Sequence, residues 1–301
     1  LSIATQKAAA ALRAAIAAPG LGADEWAAIL TGCANSSQVL DALAGADAAS
    51  LAALLRARPS LAGVLAQAES AAVAPWWAQL DDSQRDALIH AAPAITGNLG
   101  GVAYAARDEA NRIWLEDQLA DARAALAEAE RPPTYDDILG GYAAAQAYAE
   151  RLDQVRSRVK GLEDIESSLT SPDGKAPRFL MSLTADSPPL AAVSIGDLDT
   201  ADDITYAVPG MGTTTEGMGD WTRAAQNLLT KQDRSDSGST HAVVAWIGYQ
   251  TPPIPVAEGG FDVMHNDLAQ HGADNLARDL RAVDVVRADA QINVVAHSYG
   301  T

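Results

Sequence analysis

The chain has 301 residues, 48% of them hydrophobic but only 5% aromatic, and about a fifth are alanine, so it can bury one or two domain cores and its composition leans toward helix. With 39 acidic against 21 basic residues the formal charge is −18, which excludes a nucleic-acid binder or a polybasic membrane-surface module, since each needs a basic face. A single cysteine, Cys33, excludes an internal disulfide framework and a cysteine cage for zinc, and reads as a structural thiol among small neighbours.

No apolar run reaches the roughly 18 residues that a membrane helix needs. The longest uncharged stretch, which takes in His241 to Ala257, is broken by Pro252, Pro253 and Pro255, which stop a helix. The chain starts at Leu1 without a signal-peptide pattern. The first residues of the natural product are expected to be missing, and the address stays open between cytoplasm and cell envelope.

Residues 1–170 read as a helical domain, with Leu and Ile at three- and four-residue spacing in alanine-rich segments. Pro19-Gly20 ends the first helix, Asn35 and Asp47 read as N-caps, and Arg56 to Pro59 forms a basic last turn and stop. After Trp76, Trp77 and Leu80, a cap at Asp82 opens a helix from Ser83 to Pro93. Beyond the loop Thr96 to Gly101, a long helix spans about Ala103 to Glu130 and stops at Pro132-Pro133. Thr134 with Asp137 resembles a capping box for a second long helix reaching Ser168. Two long helices joined by a short turn predict an antiparallel hairpin.

The register changes near Thr170. Residues 171–301 carry β-rich runs at Arg178–Thr184, Leu190–Ile195, Ile204–Val208, Ala242–Ile247 and Ile292–Ala296. Helices are expected at about Asp220–Lys231 and Asp262–Val286, with Gln232–Thr240 a surface loop. Alternating strands and helices predict an α/β sheet whose later strands are parallel.

The chemistry is concentrated in the last residues. The strand Ile292–Ala296 runs into His297-Ser298-Tyr299-Gly300-Thr301. This is G-x-S-x-G with alanine in the first small position. A nucleophile elbow needs small residues two before and two after the serine, because the serine occupies a sharp, strained turn. Such a turn lifts the Ser298 hydroxyl above the sheet and aims the Tyr299 backbone N–H at a developing oxyanion. A second apolar strand, Ile204–Val208, ends in Pro209-Gly210-Met211-Gly212-Thr213-Thr214. In a hydrolase sheet the loop after the third strand gives the other oxyanion donor. Met211 N–H is the expected donor, with Gly212 next. A phosphate loop is the rival reading, but no G-K-[ST] and no G-x-G-x-x-G is present.

From about residue 75 onward the chain resembles an actinobacterial α/β-hydrolase family formerly catalogued as a domain of unknown function. The matching stretches include Trp77-Ala78-Gln79-Leu80, Ala92 to Val102, and Arg107-Asp108-Glu109-Ala110-Asn111-Arg112. They continue through Val193 to Asp202, Val208 to Thr213, Trp246-Ile247-Gly248-Tyr249, Gly272-Ala273 and the elbow. Where this chain has Ala296 the family more often has glycine. The resemblance implies a serine hydrolase fold behind a helical N-terminal region, and does not name a substrate.

Along the chain of such enzymes the triad runs Ser, then Asp or Glu, then His. The expectation is therefore the N-terminal half of an α/β-hydrolase fold, incomplete and mostly parallel, cut just after the nucleophile. Acid and base would lie past residue 301, and the fragment alone would be inactive. The strand ending at Ala296 should pair with the strand ending at Val208 and be open on its other side. His90, His241, His265, His271 and His297 read as surface or satisfied histidines.

No metal or cofactor is expected. Asp197, Asp199, Asp202 and Asp203 read as turn-forming aspartates rather than a cation site, and Trp76-Trp77 as packing rather than a binding platform. The expected substrate is a small or lipid-like acyl compound. The alternative from another class is a helical protein-interaction module carried beside a non-catalytic hydrolase scaffold.

Overall fold

A computed structural model describes residues 40, 43–44, 47–57, 65, 68–131, 141–252 and 267–301. The features expected at Pro19-Gly20, Cys33, Asn35, Pro59, Thr134 with Asp137, and His265 lie outside these residues. The chain divides into two compact units. One takes in the described parts of 1–111 with 278–289, and the other 112–277 with 290–301.

The first unit holds α1 (Ala48–Ala57), α2 (Ser70–Gln79), α3 (Asp82–Ala91), the short α4 (Pro93–Thr96) and the start of α5 (Tyr104–Ala129). Leu51 and Leu55 bury one face of α1, and Val73, Trp76 and Trp77 bury one face of α2, at the three- and four-residue spacing of an amphipathic helix. The two tryptophan rings lie 6.3 Å apart and tilted within this core.

The start of α3 corrects the expected cap by one residue. Asp81, not Asp82, accepts the Gln84 N–H at 2.8 Å, and the Gln84 side chain accepts the Asp81 N–H at 2.9 Å. This is a reciprocal capping box, which requires Gln three positions after the cap. After α4, the Gly97 carbonyl accepts from Arg107 Nε at 3.0 Å and from Asn111 Nδ2 at 2.8 Å. Gly101 has φ +99, and a Cβ there would fall 2.7 Å from the Ser70 carbonyl. The two stretches around 97–101 and 107–111 thus tie a tight turn to the first turns of α5.

The second unit contains the rest of α5, α6 (Gly141–Ser168), β1 (Arg178–Leu183), β2 (Ala191–Ile195), β3 (Asp203–Val208), α7 (Met218–Ser235), β4 (His241–Ile247), the start of α8 (Asp267–Val286) and β5 (Gln291–Ala296). Ion pairs Arg123–Glu163 and Arg156–Glu130, both at 3.0 Å, run in opposite chain order, so α5 and α6 run antiparallel. Leu115, Leu119, Leu162 and Ile165 of the hairpin share one core with Leu180, Val193, Ile195, Val243, Ala245 and Leu229. Residue 170, where the sequence changes from helical to strand-bearing, lies inside this unit.

The sheet has the order β1-β2-β4-β3-β5. β1 and β2 pair antiparallel, as do β2 and β4, whereas β3 is parallel to β4 and to β5. β2 is buried throughout and β4 after its first residue, as expected for near-continuous apolar strands covered on both faces. β5 pairs with β3 alone among the described strands, with Ala296 opposite Val208. Its other edge pairs with no described strand, and Val294 and Val295 are 45% and 50% exposed. α7 continues to Ser235 rather than stopping at Lys231. Its polar last turn is held to the sheet by Gln232, whose Nε2 donates to Thr205 Oγ1 at 2.8 Å. No helix among the described residues is long and apolar enough to cross a membrane.

Candidate active site

β5 delivers the chain to the elbow. His297 keeps extended backbone, and its N–H continues the ladder to the Val208 carbonyl at 3.0 Å. At Ser298 the backbone turns to φ 55, the one positive φ outside glycine among the described residues. A left-handed serine costs on the order of 1–3 kcal/mol and persists where its surroundings over-determine it. Here the turn is locked by Gly300 N–H to His297 O at 3.0 Å and Thr301 N–H to Ser298 O at 3.1 Å, and the Thr301 hydroxyl donates to Ser298 O at 2.7 Å. Ser298 itself is exposed.

The loop after β3 comes against this turn. A Cβ on Gly210 would fall 2.9 Å from Ser298 Cβ and 3.0 Å from the His297 carbonyl, and one on Gly300 would fall 2.5 Å from the Pro209 carbonyl. Glycine at both positions lets two backbones approach where no other residue fits. Of the two donors considered in this loop, Gly212 N–H is committed to the Pro252 carbonyl at 2.8 Å, which corrects its standing as the second candidate. Met211, half-buried at the loop tip, has no hydrogen bond on its N–H among the described residues. Tyr299 is half-buried behind Ser298.

Sequence reasoning gives Tyr249 no role beyond its place in the Trp246 to Tyr249 stretch. In the structure its hydroxyl donates to the Pro209 carbonyl at 2.8 Å, and its ring stacks on Trp246 with centroids 6.0 Å apart. Burial, and then the neighbouring Tyr299, push the Tyr249 phenol up to about 12. Thr251 Oγ1 donates to the Thr213 carbonyl at 2.8 Å. Two side chains that follow β4 thus hold the loop that follows β3. A cavity of about 120 Å³ opens beside this loop, lined by Pro189, Leu190, Thr213, Ile247 and Tyr249 among others.

Apart from His297, which borders Ser298, the other described residues singled out in the sequence lie elsewhere. His90 is exposed and bonds to the Asp86 carbonyl one turn back at 3.0 Å. His271 and His297 are exposed. Asp197 accepts from Asp199 N–H at 2.9 Å and Thr200 Oγ1 at 3.1 Å, which are turn-forming contacts. Asp202 instead accepts from Thr240 N–H and Oγ1, both at 2.8 Å, a long-range contact that ties the residue before β3 to the residue before β4 and corrects its reading as a turn former.

Comparison with known proteins bears on this part of the chain. Residues 186–301 match an alpha/beta hydrolase family. An uncharacterized protein of Mycobacterium tuberculosis is 29% identical over 236 residues, covering 75% of this chain and 35% of the relative. An uncharacterized protein of Mycobacterium bovis is 33% identical over 122 residues, covering 37% of this chain and 44% of that relative. The chain therefore spans about a third of the length of the M. tuberculosis relative, which has 35% of its length covered. No solved structure matches. Residues 186–301 carry the fold and the family match of an α/β hydrolase, with relatives among the actinobacteria.

Proposed function

We propose that the protein is a serine hydrolase that cleaves an ester or related acyl bond, with Ser298 as the nucleophile. The observation that carries this reading is the left-handed backbone of Ser298, φ 55, at the end of a parallel strand. That strained corner is what a nucleophile elbow needs and what an ordinary turn serine does not. The close fit of Gly210 against Ser298, and a Met211 N–H with no hydrogen bond among the described residues, support a second donor beside the elbow.

In this reading Ser298 Oγ attacks the carbonyl carbon, and its proton passes to a histidine acting as general base. The N–H groups of Met211 and Tyr299 hold the negative charge that develops on the carbonyl oxygen. The leaving alcohol takes the proton back from the histidine, and water then hydrolyses the acyl-enzyme by the same route. The half-apolar cavity beside the 209–214 loop suits the acyl or alcohol part of a small substrate.

The test is covalent labelling of the natural gene product by a fluorophosphonate probe. Wild type is expected to label, and Ser298→Ala to lose labelling and at least about 1,000-fold of esterase rate. A folded wild-type protein that takes up no probe overturns the proposal.

A further inference from the structure

A second cluster of chemistry-bearing side chains lies at the other end of the sheet. The parallel register of β3 and β4 sets Asp203 directly beside His241. Asp233 comes from the last turn of α7 and Asp236 from the loop that leads into β4. One oxygen each of Asp203 and Asp236 and one ring nitrogen of His241 all lie within 4.8 Å of one another. The strand steps from Asp203 to Val208 separate this cluster from the elbow by about 17 Å.

Three observations distinguish this group from a solvated acidic patch. The His241 side chain is only 6% exposed. Its Nδ1 is taken by Asp233 Oδ1 at 3.1 Å, which fixes the ring. Its Nε2 makes no hydrogen bond among the described residues and faces Asp203 Oδ2 at 3.9 Å, too far for a hydrogen bond. Among the described residues no lysine or arginine forms an ion pair with Asp203, Asp233 or Asp236. Asp233 thus takes one nitrogen of a buried imidazole and Asp203 faces the other, while Asp236, whose oxygens also accept from Gly238 N–H and Ser239 Oγ, brings a carboxylate oxygen into the same group, with no lysine or arginine among the described residues to balance the three acids.

We infer that Asp203, Asp236 and His241 form a binding site for a divalent transition ion of the zinc class, with Asp233 orienting the histidine. A neutral imidazole nitrogen with two carboxylates is a donor set that such ions take, leaving water to complete the coordination. A carboxylate on the far nitrogen of a ligating histidine is the usual support for such a ligand. The ion would pin the start of β3, the start of β4 and the end of α7 together. It would act as a structural clamp remote from Ser298, and the inference stands independently of the serine chemistry.

The experiment is calorimetric titration of Zn²⁺ into the chelator-treated chain near neutral pH, with thermal melts of the same samples. The expected result is one Zn²⁺ per chain and a melting temperature that rises with Zn²⁺. Affinity should fall at least tenfold in His241→Gln and in Asp203→Asn, and by about 10–100-fold in Asp233→Asn. Asp236→Asn keeps an oxygen acceptor for the Gly238 N–H while removing the charge, and it too should lose affinity and the melting shift. Absence of stoichiometric binding overturns the inference, as does equal affinity in Asp236→Asn. So does an imidazolium signal of His241 in NMR that Zn²⁺ leaves unchanged, for then the proton is the counter-charge.

Discussion

At Ser298 a side-chain-bearing residue is held where glycine is at home, and the neighbouring glycines are what make room for it. Gly300 makes the tightest of these contacts, and Gly210 is the one that meets the serine itself. Gly210→Ala places a methyl group 2.9 Å from Ser298 Cβ and 3.0 Å from a backbone carbonyl, so the serine or the loop must move. The expected result is at least a tenfold slower reaction of Ser298 with a fluorophosphonate, in a protein whose circular dichroism is unchanged, because a shift of about 1 Å at a reacting centre costs that much or more. Tyr249→Phe removes the hydroxyl that holds the Pro209 carbonyl and should slow the same reaction. It also has a pH signature. The Tyr249 phenol ionises near 10.0 when solvated and near 12 when folded, so the neutral form is favoured by folding. That stability is fully present below pH 10 and is lost as pH rises toward 12. Denaturation midpoints of wild type should therefore fall more steeply than those of Tyr249→Phe across this interval. The tight turn at Ser298, its small neighbours and the Pro-Gly loop packed on it were legible in the sequence because a sharp turn at a strand end constrains residue size at fixed spacing. The role of Tyr249 was not, since a tyrosine two residues past a strand has no local mark of what its hydroxyl reaches 40 residues back.

The strands and long helices were legible nearly to the residue, because β-branched runs and three- and four-residue spacing are local signals. The errors have local causes too. Two adjacent aspartates precede α3, and only the place of Gln84 shows that the first of them is the cap. α7 outlasts its apolar face because its last turn is held by a polar contact to the sheet. The convergence of Asp203 and His241 could not be read, since it is made by strand register across 38 residues. β5 presents an edge that pairs with no described strand and carries two exposed valines, a template for pairing with another chain. The 301-residue chain expressed by itself should self-associate, and Val295→Lys should lower the associated fraction in light scattering. The short helical turn at 215–217 is anchored differently. Burial works against the charge of Glu216, but hydrogen bonds from Lys160 and Ser157, with the Lys160 charge, hold its carboxyl below the usual 4.5. A depressed carboxylate contributes stability above its unfolded pKa and loses it as pH falls through the folded one. Glu216→Gln should melt below wild type at neutral pH, and the two should converge as pH drops below 4.5.

At the scale of the whole molecule the chain does not divide in a simple linear order. The change of register near residue 170 is visible in the sequence because helical spacing gives way to β-rich runs. The allocation of the long helices was not visible, for an alanine-rich amphipathic helix carries no mark of which core its apolar face enters. Leu162 and Ile165 lie in the sheet's core, while α8 is shared, its first half grouping with the sheet and its second half with the N-terminal helices. This sharing bears on the order of events at the ribosome. A nascent chain ordinarily completes its first unit before the next is made. Here the N-terminal unit waits for residues 278–289, which leave the exit tunnel only after the whole of 112–277 and just ahead of the elbow. Its helices must stay soluble or sheltered until 278–289 have emerged, and both units should gain protease resistance close together in time once that segment is out.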